Sequence, residues 1–364
     1  MAPLQQRPHW EPDAGNRTEL AALAINECPW CDYGLGRVLL ARNILILLTS
    51  PGGLMANGLV LWFLGLHLKR NPFTVYLLNL AVADFAFLLS QLLFILLSLG
   101  HREDQFLFHT DLYMDRGTVS PYITALGTVT ALSTERCLSV LFPSWHRCRR
   151  PPHLSATVCG LLWTLAVLWH LLGDHYCYDW ARGFLEQPCY EFSLAWGALL
   201  FPLAAVMLLS GLALLFKVQC GVRPRRPARL YVITLLLVPL FLTCGLPLGV
   251  KWFLSGLLSG SLGWLDHYFH IFYYVADLLS CTNCCAHPLV YYLVGRRWNR
   301  RPREPVSVVF KRVLGGDGEL GGEEGDTPTP ATVEMAAGGA PTGSPKMNAL
   351  LNSTAPVRPL PSAQ

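Results

Sequence analysis

The sequence is short of charge. Asp, Glu, Lys and Arg make up only 14% of its 364 residues, against roughly 25% in ordinary globular domains. With 52% hydrophobic residues, that deficit excludes a disordered chain, a collagen-like fibre and a small disulfide-knotted scaffold. Also missing are HExxH and GxSxG, and the histidines are scattered, so no catalytic residue, metal site or cofactor is expected. Nothing points to a nucleic-acid partner. The first thirty-odd residues lack a basic segment leading into an apolar core, so the first apolar block is expected to direct membrane insertion itself.

What is present is apolar length. Crossing a bilayer takes about 20 apolar residues. Seven blocks qualify: Asn43–Leu66, Phe73–Gly100, Val119–Phe142, Leu154–Gly173, Phe192–Phe216, Leu230–Val250 and Tyr268–Val294. Four contain no charge; the others hold only Asp84, the neighbours Glu135 and Arg136, and Asp277. Backbone groups in lipid must be satisfied within the segment, so each block predicts a helix. The expected fold is an all-α membrane protein, a bundle of seven transmembrane helices. Internal prolines (Pro202, Pro239, Pro247, Pro288) then mark kinks, and the third block is the least regular because of Pro121.

Basic residues choose the orientation. Fifteen Lys and Arg fall in the first, third and fifth connections and just after the last block, against six on the other side, where Arg42 precedes block one and Lys251 follows block six. The N-terminus is therefore expected outside the cell and the C-terminus in the cytoplasm. The domain plan reads 1–37 as an extracellular tail, 38–303 as the bundle, 304–314 as an amphipathic surface helix and 315–364 as a disordered cytoplasmic tail. Asn16-Arg17-Thr18 is a glycosylation sequon on the outer side.

Charge inside a span marks function by default. Glu135-Arg136-Cys137, read alone, could be an interfacial ion pair. It is accompanied by Asn57-Gly58 in span one, the run Leu78–Asp84 in span two, Trp163 in span four, Cys244-Gly245-Leu246-Pro247 in span six and Pro288-Leu289-Val290-Tyr291 in span seven. This ordered set resembles the rhodopsin-type G protein-coupled receptors. NGLVLWFLG followed by KRNPF, STERCLSVLFPSW and the CGLP of span six narrow the resemblance to the Mas-related family. The tail is similar to that of an orphan member.

The resemblance implies a plasma-membrane receptor that transmits an extracellular signal to a heterotrimeric G protein, with arrestin and membrane lipid as further partners. It implies that Glu135 restrains Arg136 in the resting state, that Pro247 bends helix six with Phe241 as a packing latch, and that Tyr291 supports the open form. Of the four cysteines expected outside, Cys177 and Cys189 match the family's bridge between spans four and five; the pairing of Cys28 and Cys31 stays open.

Departures from the family pattern carry expectations of their own. Asp84, Asn57, Asn283 and His287 form the polar core, but Ala125 and His287 stand where relatives have sodium-site residues, so a direct Asp84–His287 partnership is expected. Gly245 replaces the usual Trp, which implies either a shallower site or a looser helix six. Nine acids against four bases in the outer loops favour a cationic ligand. Some relatives hold cationic peptides through acids flanking the bridge between spans four and five; the matching positions here are Gly173 and Ser193, with Asp174 and Glu191 only near them. Asp277 with Tyr122, Trp252 and Tyr274 is therefore the candidate cavity, and a hydrated, silent outer face is the alternative. The competing functions are a non-signalling receptor-like scaffold and, from another class, a transporter. A transporter wants repeats and paired midplane charges, which are not found.

Overall fold

The computed structural model describes residues 29–67, 71–100, 104–181, 187–220, 229–258 and 266–298. Asn16, the surface-helix segment 304–314 and the tail 315–364 lie outside the described residues. So do the side chains of Cys177 and Cys189, whose backbones are helical.

Seven long helices run through the described residues. α1 is Pro29–Trp62, closed by a π-helical turn at Phe63–His67; α2 is Pro72–Gly100; α3 is Asp104–Leu141. A short helix, Pro143–Cys148, follows α3. α4 is Leu154–Ala181 and α5 is Gln187–Cys220. α6 consists of Arg229–Leu240, a π-helical turn at Phe241–Gly245, and Leu246–Leu258. α7 is Asp266–Trp298.

Each apolar block lies on its helix, but the helices overrun the blocks. α1 begins at Pro29, inside the stretch expected to be a tail, and α3 begins at Asp104 and passes through Pro121 without a break. The overrun is physical: once a helix is nucleated each added residue gains a hydrogen bond, and propagation does not stop where the apolar layer does.

The helices close a ring in which α1 packs on α2 and α7, α5 on α4 and α6, and α6 on α7. α3 threads the middle, touching α2, α4, α5 and α6. Leu77, Leu80, Leu88, Leu126, Val129, Ile233 and Leu237 are fully buried around it. Among the described residues five helices are long and apolar enough to cross a membrane by composition, and α3 and α7 are not among them. α3 faces protein rather than lipid and can carry polar side chains. Its threonines donate back to their own helix, Thr124 to Ser120 O at 2.9 Å, Thr130 to Leu126 O at 2.8 Å and Thr134 to Thr130 O at 2.8 Å, so their hydroxyls are satisfied. At the other extreme only 11% of the apolar window of α4 is buried, against 44% in α2 and α6.

α6 is interrupted for a reason its sequence carries. Pro247 lacks an N–H and its ring clashes with the carbonyl four residues back; the ladder widens into the π turn just before it. The Thr243 hydroxyl donates to Pro239 O at 2.8 Å, covering a carbonyl of the loosened stretch.

Candidate functional site

Three carboxylates sit inside the bundle at three depths, one near each end and one between. The outer two are each held by two bases, Asp84 by one histidine.

At one end Glu135 and Arg136 occupy the last turns of α3, both nearly inaccessible. Arg136 Nη2 donates to Glu135 Oε1 at 3.1 Å. Arg150, from the connection to α4, donates through Nε to Oε1 at 3.1 Å and through Nη2 to Oε2 at 2.9 Å. His146 Nε2 is 3.7 Å from Oε1, too far for a hydrogen bond. Burial, then the positive charge of Arg136, hold its imidazole below the ordinary histidine range despite that carboxylate. The Arg136 guanidinium also lies 5.6 Å from the centre of the Phe73 ring.

In the middle, Asp84 Oδ2 and His287 Nδ1 are 2.7 Å apart, and neither side chain is accessible. Asn57 Nδ2 donates across to Cys284 O at 3.0 Å, pinning α1 to α7. Asp84, Tyr122, Ala125, Phe241, Gly245 and Asn283 line a cavity with ≈ 10 Å³ of room for a water centre. That is about the size of one water. Asp84 Oδ1 and Asn283 Oδ1 of that lining are buried without protein partners, as are Asn57 Oδ1, His287 Nε2 and the Tyr291 hydroxyl, which are not part of it. Among the described residues no group of three or more His, Cys, Asp or Glu is arranged to hold a metal.

At the other end Asp277 of α7 is buried, and both of its oxygens are engaged. Arg42 Nη2 of α1 donates to Oδ2 at 3.0 Å, and Lys251 Nζ of α6 donates to Oδ1 at 3.3 Å. Lys251 is fully buried, its ammonium 3.2 Å from the centre of the Tyr273 ring and 5.8 Å from that of Trp252. Arg42 reaches Gln91 of α2 at 3.3 Å and lies 5.9 Å from the centre of the Tyr274 ring. Arg42 and Lys251 border the apolar blocks of spans one and six, where the sequence makes them orientation signals; the structure places both inside helices. Arg150 and Gln91 were likewise not singled out. Arg150 follows two other basic residues, Arg147 and Arg149, and nothing in its spacing distinguishes it from them.

Between this end and the middle, aromatic rings knit α3, α5 and α6. Tyr122 meets Trp252 edge-on at 5.0 Å and lies 6.3 Å from Trp196 and 6.0 Å from Phe241. Gly249 of α6 is gripped from both sides: its N–H donates to the Tyr122 hydroxyl at 3.2 Å, and its carbonyl accepts from Trp196 Nε1 at 2.9 Å. Tyr122, Trp252, Tyr274 and Asp277 thus belong to one connected cluster. Asp174 stands on α4 beside His170, 3.8 Å away, and Glu191 is exposed at the start of α5.

A seven-helix membrane bundle with a Glu-Arg pair ending its third helix and a proline-bent sixth defines a class, the rhodopsin-type seven-transmembrane receptors. The family model of that description, 7 transmembrane receptor (rhodopsin family), matches residues 56–291. Mas-related G-protein coupled receptor member F of Homo sapiens is 37% identical over 338 residues, covering 90% of this chain and 96% of that protein. Member D of Homo sapiens is 38% identical over 309 residues, 82% of this chain and 92% of its own. Member A of Rattus norvegicus is 37% identical over 311 residues, 82% of this chain and 94% of its own. The chain belongs to the Mas-related G protein-coupled receptors. It is a multi-pass plasma-membrane protein of a receptor family, not an enzyme family, and that family couples to G proteins.

Proposed function

We propose that the Asp277 end faces the extracellular side and receives the ligand, and that the Glu135 end faces the cytoplasm and receives the G protein on Arg136. The observation that carries this reading is the Asp277 cluster: one carboxylate of α7 binds α1 through Arg42 and α6 through Lys251, and α6 then runs through Pro247 and the π turn toward the opposite end. A cationic group on a small molecule or a basic peptide can exchange for Lys251 on Asp277. That exchange releases α6 from α7 on the outer side of the bend and biases the inner half of α6 outward, since a ligand shifts the equilibrium only by its preference for one arrangement. Trp252 and Tyr274 beside the cluster suit an organic cation. Arrestin competes for the same inner crevice, and Lys217 in the last turn of α5 favours anionic lipid.

The test is G protein activation in cells expressing wild type, Arg136→Ala and Asp277→Asn, screened with basic peptides and small organic cations. Arg136→Ala is expected to abolish activation by any hit at equal surface expression. Asp277→Asn is expected to abolish the response to cationic hits. Equal output from wild type and Arg136→Ala would leave the protein a receptor-shaped scaffold.

A further inference from the structure

The Glu135 carboxylate is shared unequally. Arg150 holds it at two points, while Arg136 reaches it through Nη2 alone. Planar two-point pairing with a carboxylate is the stronger geometry. The other donors of Arg150 are engaged too: Nη1 donates to Pro151 O at 3.1 Å, and Nη2 also donates to the Ser155 hydroxyl of α4. The Tyr76 hydroxyl of α2 adjoins both Glu135 and Ser155. Arg136, by contrast, keeps its buried Nε without a partner and rests on Phe73. His146 is held neutral near pH 7 by burial and by Arg136, so it adds no third cation to the contest.

We infer that Arg150 is a positioning residue for Arg136: by occupying both oxygens of Glu135 it limits that carboxylate to a one-point hold on Arg136, and so sets how readily Arg136 turns to a cytoplasmic partner. The inference rests on the reading of Arg136 as the G protein contact and goes one residue beyond it. Its consequence is a difference in sign. An ordinary structural ion pair behaves alike whichever partner is removed. Here loss of Arg150 leaves Arg136 as the remaining cation for a buried carboxylate, which tightens the restraint, whereas loss of the carboxylate frees Arg136.

The experiment measures agonist-independent G protein activation per surface receptor for the full-length chain. Arg150→Gln is expected to lower it about threefold or more, and Glu135→Gln to raise it by a similar factor, the worth of one net hydrogen bond. The double variant Glu135→Gln/Arg150→Gln is expected to match Glu135→Gln alone. Arg150→Lys, which keeps the charge and loses the second contact, should fall between wild type and Arg150→Gln, and it carries the test if Arg150→Gln does not reach the surface. Shifts of the same sign in both single variants overturn the inference. So does a further drop on adding Arg150→Gln to Glu135→Gln, which would mean that Arg150 contacts the G protein itself. If Arg136→Ala equals wild type, the coupling reading falls and takes this inference with it. If Arg136→Ala is silent while the Arg150 variants stay at wild-type output, the inference alone falls.

Discussion

The two ends of the bundle solve the same electrostatic problem in opposite ways. Each buries a carboxylate between two bases. Asp277 takes its bases from α1 and α6, 235 and 26 residues away in sequence, so its ion pairs hold separate helices together. Glu135 takes its bases from the next residue and from the connection 15 residues on, and none of its described partners lies on α6. One cluster is a cross-tie and the other a local clasp. A local clasp adds no ion pair between α3 and α6 at that end, which suits the proposed opening to a G protein.

If that contrast is right, damage at the two ends registers differently. The largest effect should come from Asp277→Ala, which strands two bases: removing one partner of a buried pair costs about 3–5 kcal/mol. Thermal unfolding of the detergent-solubilised receptor should show the loss. A much smaller cost would mean that the cross-tie holds little, and the comparison would break. Next comes the seam between the ends. A Cβ on Gly249 would lie 2.5 Å from the Tyr122 hydroxyl and 2.8 Å from Leu200 Cδ1, so Gly249→Ala should cost about 1–3 kcal/mol by overpacking. Tyr122→Phe removes the acceptor for the Gly249 N–H and should cost about 1 kcal/mol in the same assay.

The smallest effect belongs to the Glu135 end. His146 has a folded pKa below its unfolded value of about 6.5. The folded state therefore resists a proton that the unfolded state accepts, and the stability contributed is full above about pH 6.5 and lost as the pH falls through that range. Melting temperatures of wild type should drop more than those of His146→Gln between about pH 7.5 and 5.5. Equal drops would move the acid sensitivity elsewhere and blur the contrast.

The seven helices and the Glu135–Arg136 pair were legible in the sequence because lipid demands long uncharged runs and because charge inside such a run stands out. The Asp84–His287 contact was expected only through the family resemblance: Asp84 is the lone charge of span two, but it is the departure of His287 from the residue that relatives carry before Pro-x-x-Tyr that pointed to a direct pair. Arg42 and Lys251 were not legible, and the cause is physical. An apolar block is bounded by its first charge, so a buried base at the rim of a span is assigned to a loop by construction. Their burial depends on Asp277, Gln91, Tyr273 and Tyr274 arriving from other helices, which apolar length does not reveal. Arg150 was hidden by company, since three of the four residues from Arg147 to Arg150 are basic and only the fold selects one of them for Glu135.

The grip on Gly249 has a mechanical consequence. A rod held there has very unequal arms: two residues, about 3 Å, lead to Lys251, and twenty residues, about 30 Å, lead to Arg229 at the far tip. To the extent that the bent rod moves as one piece, a displacement at the short arm is multiplied about tenfold at the long one. If the proposed exchange at Asp277 displaces the short arm, a nudge smaller than a bond length there reads out as a swing of several ångströms at the other end, with tilt as its only currency.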